Sequence, residues 1–198
     1  ERPSEFWRYE EEAGFILQPH TPLIEALISA TQPEATGKLY DFSCYRATEY
    51  VILLGLAQEA GQHNPSLLAQ LQQVNEKHAI RSGLFHEVFL QEYGSLEAPL
   101  PAGFYVPGER VWFRNPDARS SDVTGYEGSW VIYMGSGLFS NFWKRDQPFS
   151  LQSKCIEIYH WRDGVKTNAA GDLWMDETIV DACVHETMQD PAKVQNIL

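Results

Sequence analysis

The sequence lacks any long apolar run. Its longest one, residues 50–57, is far shorter than the ~20 residues that a membrane-spanning helix needs. The first residues, Glu1 to Glu5, carry no apolar segment typical of a secretory signal, and the chain does not begin with Met. We therefore expect no membrane partner, and we expect a processed or excised domain.

Positive charge is also scarce. The chain has 15 basic and 27 acidic residues, which gives a net charge of −12. A surface of this sign repels phosphate backbones and anionic lipid headgroups, and it attracts basic proteins. We expect neither nucleic acid nor a membrane as the main partner.

The sequence also contains few cysteines. Cys44, Cys155 and Cys183 are odd in number, so they cannot all pair within one chain, and no C-x-x-C spacing is present. This pattern favours free thiols in a reduced compartment. No H-E-x-x-H pair occurs and the acidic residues are dispersed, so we expect no metal and no cofactor.

The organisation predicts an α+β fold in a single domain, residues 1–198, with a helical part over about 1–98. Apolar residues recur there at helical spacing in three places. Those helices are expected to start, in chain order, after Thr21, after Asp41 or Ser43 with a stop at Gly61, and after Asn64.

Residues of about 99–165 read mostly as strands, followed by a helical tail over about 172–198 that frays at its end. The turn Gly135-Ser136-Gly137 predicts a hairpin between two apolar runs. The predicted strands are 110–113, 130–134, 138–143 and the alternating segment 155–161.

Cys44 falls in the first turn of the second expected helix. Unpaired amide N–H groups and the helix dipole favour an anion there, and the thiolate is the reactive form of cysteine. The position suits a nucleophile. The residues alone also allow a small core residue that lies near a helix end.

Four ordered segments resemble landmarks of the bacterial spore-coat type transglutaminases, over roughly the first 145 residues. They are Phe6 to Arg8 with Glu12 to Phe15, then Tyr40 to Leu56, Gly108 to Pro116 and Gly128 to Gly135. The resemblance implies a papain-like fold, with the nucleophilic cysteine at the start of a helix packed against an antiparallel sheet. It thereby implies Cys44 as the nucleophile.

The chain departs from that family at three positions. Ser129 stands where the family has a glutamate, Ser43 where it has another acid, and Asn141 where it has a histidine. A serine cannot act as the base that a carboxylate can, so the resemblance does not carry the family's catalytic pair over intact.

Three residues are candidates to replace the missing groups. Glu127 shares a face with Ser129 if the strand extends that far, which makes it the first candidate acid–base partner; the alternative is an exposed loop residue. Asn141 could orient a partner or be a hairpin residue. His160 could serve as a base or be a satisfied core histidine.

The leading hypothesis is a protein-glutamine acyltransferase acting through a Cys44 thioester. Its partners would be a protein with an accessible glutamine and an amine donor, with crosslinking or deamidation as the outcome. A domain without an initiator Met, without a signal and with a strongly acidic composition fits the C-terminal toxin or effector module of a larger secreted bacterial protein, with a neutralising immunity protein. The rivals are a papain-like cysteine peptidase with His160 as base, and a binding module on a decayed enzyme fold.

Overall fold

The computed structural model describes residues 1–80 and 82–198, and it divides into two compact units, Glu1–Leu100 and Pro101–Leu198. Its regular structure is helices and antiparallel sheets, which confirms the α+β class. The division between the units lies close to the change of composition near Glu97. That both units form one catalytic domain stays a prediction. Within the described ranges, no helix combines the length and hydropathy needed to cross a bilayer.

The first unit consists of a hairpin followed by helices. Its elements are β1 (Trp7–Glu10), β2 (Gly14–Leu17), α1 (Leu23–Thr31), α2 (Pro33–Thr36), α3 (Cys44–His63), α4 (Pro65–Asn75) and α5 (Ser82–Phe89).

The β1–β2 hairpin was not expected, because residues 1–98 read as helical. Gly14 adopts a φ of 95° at the start of β2, a conformation that glycine reaches without strain. The buried Trp7 donates a hydrogen bond from its indole Nε1 to the Ala26 carbonyl at 3.1 Å, which ties the hairpin to α1. Short strands with this much burial form through packing on helices rather than through their own pattern.

The three predicted helices are present, with different details at their ends. The first begins at Leu23, and Thr21 does not cap it, because the Thr21 hydroxyl donates to the Gln18 carbonyl. The second is α3, which passes Gly61 and ends at His63. The third, α4, begins at Pro65 with Asn64 as its N-cap.

The second unit contains a four-stranded antiparallel sheet in the order β3-β4-β5-β6 and a separate strand pair, β7-β8. Its elements are a 3₁₀ turn (Ala102–Phe104), β3 (Arg110–Arg114), α6 (Ala118–Ser121), β4 (Gly128–Gly135), β5 (Leu138–Phe139), β6 (Phe149–Ser150), α7 (Leu151–Gly164), β7 (Val165–Thr167), β8 (Leu173–Met175), α8 (Glu177–Met188) and α9 (Pro191–Ile197).

The predicted hairpin is confirmed as β4 and β5, which pair antiparallel, with Tyr133 opposite Phe139. Its second strand is shorter than expected, because residues 140–143 lie outside β5. The helical tail predicted over about 172–198 is wrong at its start, because residues 173–175 form β8. From Glu177 the tail is helical as expected, but α9 extends to Ile197 and is capped by Asp190. The prediction of a frayed end is wrong for this reason.

The prediction of a strand over residues 155–161 is wrong, because this segment is the middle of α7. A reciprocal capping box between Ser150 and Ser153 starts the helix. Ile156, Ile158 and Trp161 are all buried, because elements pack on several sides of α7. Burial on several sides produces alternating apolar residues, which imitate the period of a strand.

Candidate active site

Cys44 is the first residue of α3 and is half-buried. Ser43 is the N-cap: its Oγ accepts a hydrogen bond from the Arg46 amide at 3.2 Å, and its carbonyl accepts from the Ala47 amide at 2.9 Å. The expected helix start at this position is confirmed. The thiol lies at the end of the helix where backbone amides carry partial positive charge.

Arg2 holds the segment that leads into α3. Its guanidinium donates to the Asp41 carbonyl at 2.7 Å and lies over the Phe42 ring, 3.4 Å from the centroid. Phe42 in turn meets Tyr50 of α3 edge to face, with 4.9 Å between centroids. Burial lowers the pKa of Arg2 and raises the pKa of Tyr50. These contacts fix the residues before Cys44 against the body of α3.

A buried ion pair lies one turn further along α3. Glu49 is fully buried, and its Oε2 accepts from the Arg46 guanidinium at 2.5 Å. Arg46 also donates to the Ile80 carbonyl. A buried carboxylate requires such a partner, so the pair ties the first turn of α3 to residue 80.

A cavity of about 380 Å³ lies beside this helix start within the first unit. Ser43 and Arg46 are on its wall, together with Arg2, Asp41 and Tyr50. Small-ligand pockets commonly have volumes of roughly 300–1,000 Å³, so the cavity is large enough for an extended polar side chain.

The four other candidates belong to the second unit. Ser129 lies on β4 opposite Phe113 and is 2% exposed, and its hydroxyl has no hydrogen-bond partner within residues 1–80 and 82–198. Glu127 precedes the strand, which begins at Gly128, so the condition for a face shared with Ser129 is not met. Its exposed side chain accepts from the Gly125 amide at 3.2 Å.

Asn141 closes the loop that follows β5. Its Nδ2 donates to the Gln147 carbonyl at 3.0 Å, and its Oδ1 accepts from the amides of Trp143 and Lys144 at 3.1 and 3.0 Å. Both ends of the amide are therefore engaged in loop structure.

His160 lies on α7 and is buried. Its Nδ1 is 2.6 Å from Asp163 Oδ2, and its Nε2 is 2.7 Å from Thr187 Oγ1 of α8. Cys183, also on α8, completes a group whose potential ligand atoms all lie within 4.8 Å of one another. Sequence reasoning missed this group because it treated residues 155–161 as a strand. The H-x-x-D spacing would have indicated it on a helix.

The structure does not bring the four candidates of the second unit together. No hydrogen bond between described residues joins any two of Glu127, Ser129, Asn141 and His160. Cys44 belongs to the first unit and these four to the second.

A half-buried cysteine that begins a long helix, in a chain of the α+β class, is the arrangement of papain-like cysteine enzymes. A family model described as protein-glutamine gamma-glutamyltransferase matches residues 1–175. The chain belongs to this family, so it is a glutamine gamma-glutamyltransferase-like enzyme of papain-like fold. No curated protein and no solved structure matches the chain. The matched region contains Cys44 and ends before α8.

Proposed function

We propose that the chain is a protein-glutamine acyltransferase whose nucleophile is Cys44. The observation that carries the proposal is the place of this thiol as the first residue of α3, half-buried and directly after the Ser43 cap. The cavity wall includes Ser43 and Arg46, which flank Cys44 in sequence, but not Cys44 itself. Membership of the glutamyltransferase family supplies the substrate class.

The proposed reaction has two halves. The Cys44 thiolate attacks the carboxamide carbon of a protein glutamine, the carbon–nitrogen bond breaks, and ammonia leaves with an added proton. The resulting thioester is then attacked by a lysine amine, which gives a crosslink, or by water, which gives glutamate. Either attack breaks the carbon–sulfur bond and restores the thiol. Amides of the first turn of α3 are suited to stabilise the oxyanion.

We propose Glu127 as the general acid–base residue of this reaction. It is the carboxylate among the four candidates, it is exposed, and its Oε1 accepts from one backbone amide. The buried Ser129 hydroxyl is proposed as a weaker polar partner. Asn141 is engaged in loop contacts, so we assign it a lesser, orienting role. His160 is engaged with Asp163 and Thr187, and it remains the candidate base of the rival peptidase only. A Glu127→Gln variant with lowered kcat and unchanged helix content supports this assignment, and an unchanged kcat contradicts it.

The decisive experiment compares Cys44→Ala with Cys155→Ala. Each variant is incubated with a glutamine-containing protein and a labelled primary amine, and both label incorporation and ammonia release are measured. We expect Cys44→Ala to lose at least about 10³-fold in both rates, since removal of a nucleophile abolishes the covalent route. Cys155→Ala should stay within about twofold. Full ammonia release by Cys44→Ala would refute the proposal.

The same assay separates the rival functions. A cysteine peptidase cleaves the substrate without incorporating the labelled amine. A binding module leaves incorporation, ammonia release and cleavage at background in the unmodified chain. Label incorporation together with ammonia release supports the transferase.

We further propose a spore-coat type relative that works as an effector or toxin module and is neutralised by a partner protein. The net charge of −12 supports a basic partner surface. Expression inside a bacterial host should inhibit growth, and the Cys44→Ala variant should not. Harmless expression of active enzyme would contradict this setting.

A further inference from the structure

A second chemical cluster lies on helices α7 and α8, and the proposed reaction uses none of its residues as nucleophile or primary base. It consists of His160 and Asp163 on α7 and Cys183 on α8. One imidazole nitrogen, one carboxylate oxygen and one thiol sulfur lie within 4.8 Å of one another. Cys183 lies beyond the residues that the family model matches.

These three ligand types together favour one kind of metal. A thiolate, an imidazole and a carboxylate are all ligands of zinc, whereas Mg²⁺ and Ca²⁺ prefer oxygen alone. Ligand atoms on a tetrahedral zinc lie about 3.5 Å apart, given bond lengths of about 2.0–2.3 Å. His160 Nδ1 and Asp163 Oδ2 are 2.6 Å apart, and no two of the three ligand atoms are more than 4.8 Å apart. Shifts of up to about an ångström reach the zinc spacing, and side-chain rotation on Asp163 and Cys183 can supply them because neither residue is fully buried.

We propose that His160, Asp163 and Cys183 bind one zinc ion, with a water molecule in the fourth position. The metal links α7 to α8, so it stabilises the part of the chain that follows the family-matched region. The site is independent of the proposed acyl transfer.

Thr187 provides the outer hydrogen bond that such a site needs. It is buried, and its Oγ1 is 2.7 Å from His160 Nε2. Without metal, Nδ1–H donates to Asp163 and the hydroxyl donates to Nε2. With zinc on Nδ1, the ring proton sits on Nε2 and the hydroxyl accepts it. The imidazole keeps the same number of protons, and the Cys183 thiol loses one proton to solvent.

The charges around the thiol also favour a cation. The Asp163 carboxylate lies within 4.8 Å of the Cys183 thiol, and Glu186 lies three residues further along α8. Neighbouring negative charge that opposes a thiolate attracts a divalent ion, and the ion then compensates the thiolate. Glu186 is itself paired with Lys193, so we do not count it among the ligands.

The test is a titration of the reduced, metal-free full chain with Co²⁺ alone, followed by competition with Zn²⁺. We expect one ion per chain, a thiolate-to-cobalt charge-transfer absorption, and its loss when Zn²⁺ is added. Zn²⁺ should also raise the Tm, and Mg²⁺ should not. Cys183→Ser and Asp163→Asn should each weaken binding at least tenfold.

Cys44→Ser and Cys155→Ser are the matched controls, and both should bind as the unmodified chain does. Cys183 and Asp163 are not fully buried, so their variants should keep the metal-free Tm, which shows that lost binding is not lost folding. Absence of the charge-transfer band in the unmodified chain overturns the proposal. So does an unchanged band in Cys183→Ser, or a band that disappears in Cys44→Ser.

Discussion

Helices α3 and α7 begin in the same way and differ in where they place a thiol. Each follows a serine N-cap: Ser43 accepts from the Arg46 amide, and Ser150 accepts from the Ser153 amide. Cys44 is the first residue of α3, whereas Cys155 lies in the second turn of α7. The influence of the helix end falls off within the first turn. The comparison teaches that position within a helix, rather than residue type, separates a candidate nucleophile from a packing residue.

The two helices also bury charges of opposite sign. Glu49 in α3 is fully buried beside Arg46, at 2.5 Å. Lys154 in α7 is 1% exposed, 3.2 Å from Glu157 and 4.1 Å from the centroid of the Phe149 ring. The acid is paired with a guanidinium, and the lysine with a carboxylate and an aromatic face. Loss of the charged partner should therefore lower the free energy of unfolding more in α3 than in α7.

The largest expected effect is that of Arg46→Ala. It leaves the buried Glu49 carboxylate without its guanidinium, and breaking a buried pair in this way costs about 3–5 kcal/mol of unfolding free energy. Urea denaturation followed by circular dichroism measures it. The matched change in α7, Glu157→Gln, leaves Lys154 over the Phe149 ring and should cost about 1 kcal/mol. Equal losses in the two variants would break the comparison.

The sequence predicted α3 well because its signals are local. A cap at Ser43 and an apolar run of helical length suffice. The prediction failed for α7 for two reasons. Its cap partner is Ser153 rather than the more recognisable Glu or Gln. Its burial on several sides also gives the same alternation of apolar residues as a strand. The hairpin at residues 7–17 was missed because its stability comes from packing on α1.

Of the candidate site residues, only Cys44 has a position that could be predicted from the sequence. The helix-start position of Cys44 follows from neighbouring residues. The Ser129 hydroxyl has no hydrogen-bond partner in the part of the chain that the structure describes, and the Asn141 amide is engaged in its loop. Both depend on loop geometry and strand ends, which local sequence pattern does not determine. The group of His160 and Cys183 requires two helices to pack, and that contact spans residues far apart in sequence.

One glycine in each helix tests the comparison further, because replacing the two should change the stability of the chain in opposite directions. A Cβ on Gly164, at the end of α7, would lie 2.5 Å from Val180 Cγ2 and 2.9 Å from the Asp176 carbonyl oxygen. Gly164→Ala should destabilise by about 1–3 kcal/mol through overpacking against α8. Gly55 in α3 faces open space, so Gly55→Ala should stabilise by about 0.5–1 kcal/mol. Thermal unfolding of both variants gives the two signs, and a shared sign would contradict the packing described.

Removing each serine cap tests whether the helix starts are equivalent. Ser43→Ala and Ser150→Ala should each cost about 1 kcal/mol. We expect the larger loss at Ser150, because its capping box is reciprocal with Ser153, while Ser43 caps alone. Hydrogen exchange of the first-turn amides locates each loss. An effect confined to Ser43 would show that α7 is held by packing and not by its cap.

The smallest effect concerns the rates at which the three thiols react with iodoacetamide. Burial raises the pKa of Cys155, and burial together with Asp163 and Glu186 raises the pKa of Cys183. A raised thiol pKa leaves less thiolate at pH 7.5. Cys155 and Cys183 should therefore react at least about threefold more slowly in the folded chain than in urea. This difference in rate should shrink as the pH rises. Cys44, at the helix start, should react fastest of the three when folded. Mass spectrometry of the alkylated peptides measures all three rates in one sample. If Cys155 reacted as fast as Cys44, the distinction between a first-turn thiol and a second-turn thiol would be lost, since the two helices share the same kind of cap.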